Sequence, residues 1–357
     1  MEYNVRGNEI EITGVPDFDL KKIFECGQCF RWEAAGSRGG TKQNCISGND
    51  CYAGRGGCTS DKTCLTADEG DVIGEDVYTG VAFGRATRVR RAPLGSDFSH
   101  DRKVSAEKCK QRGKKAVLEK YVDAGHKEVD RIFIACSIED FEATWLNYFD
   151  LDRDYSEIRR KLCIDEYMEN AARFGAGIRI LKQDSWEALC SFIISQCNNI
   201  PRIKRIINTL CREFGDILRF DGVDYYSFPG ASRLARLEER DLAPLRCGYR
   251  AEYIINAARA VASGSLDLSA LRSKSYEDAR TELTKLRGVG NKVADCTVLF
   301  GFNMLDTFPM DVWIKRTIAE QYGPCFDPSV FSPYAGVAQQ YIYHYARNYI
   351  PLAPLMV

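Results

Sequence analysis

One short stretch of the chain combines residue types that can hold a phosphate and attack a carbon atom. Gly288 and Gly290 lie directly before an apolar helical pattern, Lys292 falls in its first turn, and Asp311 follows further along the chain. Glycines let backbone N–H groups approach a phosphate closely, and the helix N-terminus behind them favours an anion. The positive end of a helix dipole disfavours the ammonium form of an amine placed there. The spacing therefore predicts a phosphate-binding turn beside a nucleophilic lysine.

Three predicted helices must position these residues. Ser275 to Leu286 has a helical pattern, residues 287–290 form a turn, and Asn291 to Phe302 has a second helical pattern, which together predict a helix-hairpin-helix. A third helix is predicted from Val312 to Tyr322, with Asp311 as its N-cap. Two interpretations of Asp311 stay open. It is a cap alone, or it is a cap whose carboxylate, kept ionised by backbone N–H groups, faces a developing cation.

A second helix junction is rich in polar side chains. Asp184 and Glu187 resemble a capping box before a buried helix that ends at residues 196–199, and Pro201 suits the first turn of the next helix. That next helix has a basic face. Such faces are usually only solvated, but this one follows an asparagine pair, which favours contact with a phosphate. The residues concerned are Asn198, Asn199, Arg202, Lys204, Arg205 and Arg212.

A tyrosine and an arginine open a further predicted helix. Tyr249 and Arg250 follow Gly248 and precede a pattern that continues to Ala260. The pair could be ordinary packing at a helix end. It could equally be an aromatic wedge that enters a base stack, beside a cation that reads the base left without a partner. The sequence supports both interpretations equally.

The N-terminal part of the chain has a different residue pattern. Residues 8–13, 76–89 and 131–135 are short runs of alternating apolar and polar residues, which predict an antiparallel sheet. The predicted fold class is therefore α+β. We expect a sheet domain over residues 1–137, a helical helix-hairpin-helix domain over residues 138–348, and a tail over residues 349–357.

Two long insertions interrupt the predicted sheet, at about 34–75 and 92–128. The first could be a zinc knuckle, although its cysteines are more widely spaced than zinc ligands usually are, or a surface insertion. The second could be a basic arm that follows a nucleic-acid backbone, or a solvated loop. The cysteines are Cys45, Cys51, Cys58 and Cys64, and the basic residues are Arg102, Lys103, Lys108, Lys110, Arg112, Lys114, Lys115 and Lys120.

Composition sets outer limits on the function. The net charge of -1 excludes a uniformly basic coat for nucleic acid but not a local basic face. The 15 cysteines are scattered, and no secretory signal is recognisable, so we expect reduced thiols in an intracellular protein. That location would be the cytoplasm with its nucleoid in a prokaryote and the nucleus in a eukaryote. No apolar run is long enough to predict a membrane span.

Five motifs together resemble one known family. Residues 286–296 with Pro309 to Asp311 resemble the helix-hairpin-helix DNA glycosylase superfamily. Four further motifs, in the family's order, are similar to those of the 8-oxoguanine DNA glycosylase/lyase family. They are residues 26–32 (CGQCFRW), 198–202 (NNIPR), 248–250 (GYR) and 335–339 (AGVAQ). The resemblance covers about residues 1–33, 76–91 and 131–348.

The resemblance implies a bifunctional DNA glycosylase and AP lyase that excises 8-oxoguanine from duplex DNA by base flipping. Lys292 would attack C1′ of the damaged nucleoside, expel the base and form a Schiff base. Removal of a proton from C2′ would then eliminate the 3′ phosphate. Asp311 would stabilise the oxocarbenium-like transition state. The resemblance also implies binding, by a monomer, to duplex DNA with cytosine opposite the lesion.

The resemblance assigns further residues to the base and to the DNA. Gly27 would accept a hydrogen bond from the protonated N7 of 8-oxoguanine, an atom that is a bare acceptor in guanine. Phe30, Cys296 and Tyr343 would line the base pocket, and Gln339 would bind the Watson–Crick edge. On the DNA, Tyr249 would be the wedge, Arg202 and Arg250 would read the opposite cytosine, and Gly288, Gly290, Asn198 and Asn199 would lie at the strand.

The resemblance implies that no cofactor is required. At two positions this sequence differs from the family's pattern. The backbone carbonyls of Thr284, Leu286 and Val289 match a structural cation site in the family. Cys197 replaces an asparagine that fills the space left by the extruded nucleotide, which suggests a looser preference for the opposite cytosine. Trp313 stands where some relatives have a histidine that contacts a phosphate.

Three competing functions are weighed against this assignment. An endonuclease III-like glycosylase carries a four-cysteine iron–sulfur cluster after its aspartate, but only Cys325 follows Asp311 here, so no such cluster is expected. A noncatalytic helix-hairpin-helix DNA-binding protein would not need both Lys292 and Asp311. A glycosylase for another oxidised base stays open.

Overall fold

The structure of the protein, a computed structural model, describes residues 1–35, 76–92 and 131–349. Both insertions fall almost wholly outside these ranges. The predictions of a zinc knuckle at Cys45, Cys51, Cys58 and Cys64, and of a basic arm from Arg102 to Lys120, therefore concern residues outside the described part of the chain. The predicted tail over 349–357 also lies outside it, except for Tyr349, where the last helix ends.

The N-terminal sheet is antiparallel, as the alternating runs predict. The strands in the described part of the chain are β1 Glu2–Arg6, β2 Glu9–Thr13, β3 Trp32–Ala34, β4 Asp76–Ala82, β5 Arg85–Ala92, β6 Arg131–Ile134, β7 Ile217–Phe220 and β8 Val223–Tyr226. The order of the sheet is β1-β2-β6-β5-β4-β3, and every neighbouring pair is antiparallel. β7 and β8 form a separate two-stranded hairpin.

The prediction of one strand over residues 76–89 is wrong, because that stretch is a hairpin. β4 and β5 pair from Asp76 with Arg91 to Ala82 with Arg85. Phe83 and Gly84 make the turn, with φ of 50° and 70°. Two residues with positive φ form the tight turn whose twist matches that of the flanking strands. The alternating pattern continues through the turn, so it hides the reversal of direction.

One face of the sheet is buried under aromatic residues. Ile10, Ile12, Val89, Ile132 and Ile134 point into a cluster in which each of them is at most 1% exposed. The cluster is covered by the helix Leu20–Glu25 and by residues after 138, including Phe141, Trp145 and Tyr148. The sheet core therefore draws on chain from both sides of the 137/138 position, and the division of the chain into domains there stays a prediction.

The rest of the described chain is mostly helical. The helices are α1 Leu20–Glu25, α2 Ile138–Asp140, α3 Leu146–Tyr148, α4 Tyr155–Leu162, α5 Glu166–Phe174, α6 Ser185–Ser195, α7 Ile200–Phe214, α8 Ala231–Leu234, α9 Arg250–Ala262, α10 Leu268–Leu271, α11 Tyr276–Thr284, α12 Asn291–Phe302, α13 Val312–Gln321 and α14 Ala335–Tyr349. A π-helical turn, Phe141–Trp145, joins α2 to α3, and 3₁₀ turns span Glu239–Leu245 and Pro328–Phe331. In the described part of the chain, no helix is long and apolar enough to cross a membrane.

Side-chain caps explain where many of the helices begin. Asp154, Asp184, Asn199, Ser275 and Asp311 each accept a hydrogen bond from the backbone N–H three residues later. Such caps satisfy N–H groups that have no partner inside the helix. The predicted hairpin, the third helix and the helix after Pro201 are all confirmed, with ends within a few residues of the prediction.

The capping box predicted for α6 forms only in part. Asp184 accepts from the Glu187 N–H at 2.9 Å, but the Glu187 carboxylate instead binds Arg31, at 3.3 Å. Burial raises the pKa of Glu187 above its usual value, and Arg31 opposes that change. Arg31 comes from the loop before β3, so this partner was not visible in the local sequence. The ion pair ties the N-terminal loop to the helix that carries the site.

Candidate active site

The hairpin turn between α11 and α12 is built around one glycine. Gly288 has φ +85°, and a Cβ on it would lie 2.2 Å from ring atoms of Tyr253. Only glycine meets both conditions without displacement of that ring. The Val289 N–H then donates to the Leu286 carbonyl at 3.0 Å, which closes the turn.

Gly290 is different from Gly288. It is the N-cap position of α12 with φ −90°, and a Cβ on it would have no atom within 4 Å. The fold therefore does not require glycine there. An open, exposed backbone before a helix N-terminus suits the close approach of an anion, as predicted for both glycines.

Lys292 faces a cavity through the packing of α12 on α6. The ten residues from Val293 to Phe302 are all buried, so α12 is packed on nearly every side and its orientation is fixed. The Lys292 Nζ donates to Ser195 Oγ at 3.2 Å and lies 5.2 Å from the centre of the Phe192 ring. Ser195 and Phe192 were not predicted site residues. Ser195 is the last residue of α6 and directly follows the apolar run Phe192 to Ile194, which is a local signal that marks it.

Asp311 is both a cap and a part of the cavity wall. Its Oδ1 accepts from the Ile314 N–H at 2.8 Å. Burial raises the pKa of this carboxyl above its usual value, while the N–H groups of Ile314 and Trp313 and the nearby Lys292 lower it. Burial is the largest of these effects. Desolvation therefore outweighs the cap in its effect on this pKa, and the catalytic role of Asp311 stays a prediction.

Every residue predicted for catalysis and base binding lines the same cavity, of about 360 Å³. The predicted residues in its wall are Gly27, Phe30, Asn198, Asn199, Lys292, Cys296, Asp311, Gln339 and Tyr343. Its remaining walls include Phe192, Ser195, Trp313, Gln340 and Arg347. Residues separated by more than 300 positions in the chain thus face one space. The volume is within the usual range for a small-molecule pocket.

The loop that carries Gly27 is fixed by its neighbour Gln28. Gly27 has φ +86°, a conformation that favours glycine. The fully buried Gln28 donates to the carbonyls of Ile23 and Arg179, at 2.9 and 2.8 Å, and accepts from the Leu181 N–H at 2.9 Å. Because these bonds hold the loop from both sides, the orientation of the Gly27 carbonyl is set before any ligand binds.

Aromatic rings and a thiol form the apolar part of the cavity. Phe30 packs edge to face on Phe192, with 6.1 Å between ring centres. Burial raises the pKa of the Cys296 thiol to about 11, so at neutral pH it is a neutral, polarisable group. The Tyr343 hydroxyl accepts a hydrogen bond from Arg347 at 3.2 Å. Arg347 lies one helical turn after Tyr343 and was not a predicted site residue.

The residues predicted to bind DNA divide into an exposed and a buried group. Tyr249 is 51% exposed, and Arg202 is exposed, with one bond to the Arg246 carbonyl at 3.1 Å. Asn199 caps α7 by accepting from the Arg202 N–H, and Asn198 donates to the Ile194 carbonyl, each at 3.0 Å. Exposure of the Tyr249 ring and of Arg202 agrees with the predicted wedge and base reader.

Arg250 belongs to the buried group, and its position differs from the predicted one. Only 3% exposed, it donates to the carbonyls of Gln196, Cys197 and Cys247. These bonds hold Cys197 in a left-handed conformation, with φ 46°. In this structure the guanidinium organises the loop between α6 and α7, and it would have to release those carbonyls to reach a base.

The structure does not test the predicted cation site. The Leu286 carbonyl already accepts from the Val289 N–H, and Thr284 and Val289 flank it in the same turn. Within residues 1–35, 76–92 and 131–349, no three His, Cys, Asp or Glu side chains are grouped in a way that could hold a metal ion. The cation at the hairpin carbonyls therefore stays a prediction.

The fold and the cavity agree with comparisons to known proteins. Residues 190–325 match the HhH-GPD superfamily base excision DNA repair protein. Residues 12–189 match the N-terminal domain of 8-oxoguanine DNA glycosylase. The chain belongs to the 8-oxoguanine DNA glycosylase family, as the five motifs predict. The α+β fold class is confirmed by the same matches and by the sheet and helices described above.

Two solved structures of similar proteins cover nearly the whole chain. The structure of MBOgg1 in complex with a low-affinity DNA ligand has a TM-score of 0.72 and 34% identity, over 97% of this chain and 99% of that one. The Clostridium acetobutylicum 8-oxoguanine glycosylase/lyase, in complex with DNA containing cytosine opposite 8-oxoG, has a TM-score of 0.72 and 29% identity, over 97% of this chain and 98% of that one.

A curated relative matches over a shorter stretch. The N-glycosylase/DNA lyase of Saccharomyces cerevisiae is 40% identical over 200 residues, which is 52% of this chain and 53% of the relative. The chain thus spans about half the length of the curated relatives it matches.

Proposed function

We propose that this chain is a bifunctional DNA glycosylase and AP lyase that excises 8-oxoguanine from duplex DNA. The observation that carries the proposal is the single cavity that holds Lys292 and Asp311 together with Gly27, Cys296 and Gln339. An amine and a buried carboxyl provide the chemistry, and the other three provide polar and polarisable contacts for a base. A base can reach a cavity of this kind only after it has left the helical stack.

The proposed chemistry begins at the Lys292 Nζ. The amine forms a bond to C1′ of the damaged nucleoside as the bond from C1′ to the base breaks, and the base leaves with the electron pair. Loss of the amine proton and opening of the sugar give a Schiff base. Removal of a proton from C2′ then expels the 3′ phosphate. Asp311 would face the positive charge that develops on the sugar and would stabilise it, and this stabilisation is larger in a site from which water is excluded.

The surface around the cavity suggests how the DNA would lie. The exposed Tyr249 would enter the stack in place of the extruded nucleotide, and the exposed Arg202 would meet the opposite base, which we propose to be cytosine. The turn at Gly288 and Gly290 would hold the strand by its phosphates. We further propose that the protein acts as a monomer, inside the cell where its DNA substrate is found, with a cation at the hairpin as a structural aid.

Borohydride trapping tests the proposal directly. Reduction of the Schiff base would link the wild-type protein covalently to a duplex with 8-oxoguanine opposite cytosine, and Lys292→Gln would abolish the link. Lys285→Gln is a matched control, because Lys285 lies in the same hairpin but pairs with Glu282 on the surface. Binding without a trapped product would instead support a noncatalytic DNA-binding protein. Trapping only with duplexes that carry other oxidised bases would move the substrate assignment to those bases.

A further inference from the structure

Gln340 is a buried polar residue in the cavity wall for which the proposed chemistry has no role. It lies in α14, next to Gln339, and each of the two glutamines is only 4% exposed. Both line the cavity. The sequence analysis assigned a function to Gln339 alone.

The two glutamines are joined by a hydrogen bond between their side chains. The Gln340 Nε2 donates to the Gln339 Oε1 at 2.7 Å. Within the described part of the chain, the Gln340 Oε1 has no hydrogen-bond partner, although it is buried. The bond to Gln339 is also the one hydrogen bond that the structure shows for the side chain of Gln340 among the described residues.

Stability alone does not account for a glutamine at this position. An unpaired buried acceptor destabilises the folded state, whereas an apolar side chain of similar size would fill the same space without that cost. Departures of this kind from good packing concentrate at functional sites. The bond to Gln339 is the one feature that a glutamine gives and a methionine would not.

The bond has a specific consequence for Gln339. An amide side chain has a donor end and an acceptor end, and its last torsion has two nearly equivalent settings. In the structure the Gln340 amide is the donor, so the bond goes to the acceptor end of Gln339. In this arrangement the Gln339 Oε1 lies toward Gln340 with one lone pair still free, and the Gln339 Nε2 is the donor at the other end.

We propose that Gln340 is a positioning residue that fixes the amide of Gln339 for recognition of the extruded base. This inference rests on the proposed function. The edge of a guanine-type base presents an acceptor, O6, beside N–H donors, and an adenine-type edge presents the reverse order. A fixed amide matches one order and opposes the other, so Gln340 contributes to the choice of base through Gln339.

Gln340→Met is the variant that tests this proposal, because it keeps the volume and removes the donor. In single-turnover assays on a duplex with 8-oxoguanine, we expect the excision rate to fall about five- to tenfold, the effect of one lost hydrogen bond. Borohydride trapping on a duplex that already carries an abasic site should stay unchanged, because that substrate has no base to position. The melting temperature should be unchanged or higher, because the unpaired oxygen is gone.

A double-mutant cycle separates positioning from a general structural role. In a Gln339→Met background, Gln340→Met should have no further effect on excision if it acts through Gln339. Gln321→Met, at the exposed end of α13, is the control for the substitution itself.

Three results would overturn the proposal: an unchanged excision rate in Gln340→Met, a parallel loss of abasic-site trapping, or full additivity in the cycle. Absence of trapping by the wild-type protein would overturn the proposed function, and this inference with it, before any variant was compared.

Discussion

Asp311→Asn should separate the two roles of Asp311, because it keeps the cap and removes the charge. Asparagine and aspartate are about equally good N-caps, so the bond from the Ile314 N–H, 2.8 Å long in the wild type, should persist. The lost carboxylate should slow excision by about a hundredfold or more, or roughly 3 kcal/mol of transition-state stabilisation. Binding to lesion DNA should be largely retained.

The stability of the same variant should change in the opposite direction. Burial raises the pKa of Asp311, so the folded protein holds the proton more tightly than the unfolded chain does. The favourable contribution of this group is complete below the unfolded-state pKa and is lost as pH rises through the folded-state pKa. Ionised Asp311 is therefore a cost at neutral pH. We expect Asp311→Asn to be at least as stable as the wild type at pH 7, with a difference that shrinks on acidification.

Thermal unfolding and single-turnover excision, measured together, test this reasoning. Asp311→Ala removes the cap as well and should cost about 0.5–2 kcal/mol, or about 1–2 °C in melting temperature for each kcal/mol in a chain of this length. The Asn variant should thus be inactive but stable, and the Ala variant inactive and less stable. The reasoning is refuted if the Asn variant is as unstable as the Ala variant, or if it excises 8-oxoguanine at the wild-type rate.

The remaining predictions compare matched pairs of substitutions. Gly288→Ala should lower the melting temperature, because its Cβ would meet the Tyr253 ring. Gly290→Ala should leave the melting temperature unchanged and weaken DNA binding in a fluorescence anisotropy assay. Equal effects of the two variants on the melting temperature would contradict this. Arg250→Met should destabilise the fold by about 2–4 kcal/mol, because it leaves carbonyls unpaired, while Tyr249→Ala should leave unfolding unchanged and reduce excision. A fully stable Arg250→Met variant would show that these bonds are dispensable.

Local patterns predicted the helices and strands and singled out Lys292 and Asp311 as candidate catalytic residues. Asp184, Asn199, Ser275 and Asp311 mark helix starts in the sequence because a cap acts on N–H groups a few residues away. Alternating apolar and polar residues predicted the strands, because side chains point to opposite faces at every second position and this pattern is also local. The reversal at Phe83 and Gly84 was missed, because strand periodicity carries through a tight turn without a break.

The environment of each site residue depended on contacts between distant parts of the chain. Ser195 meets Lys292 across 97 positions, and Gln28 binds the Arg179 carbonyl across 151. No local pattern encodes such pairs, because they arise only when α6, α12 and the N-terminal loop pack together. Arg250 shows the same limit, since its motif resembles that of a DNA-reading arginine, while its burial against three backbone carbonyls is visible only in the fold.

The sequence by itself therefore determined which groups are present, in what order, and at which helix ends they stand. Tertiary structure decided which of those groups share a cavity and how burial changes them. For Asp311, the sequence predicts the cap but not the desolvation that raises its pKa. For Gln339, the motif singled out the residue, but its hydrogen bond to Gln340 is visible only in the fold. The physical reason is that capping is local, whereas burial is a property of the whole packed chain.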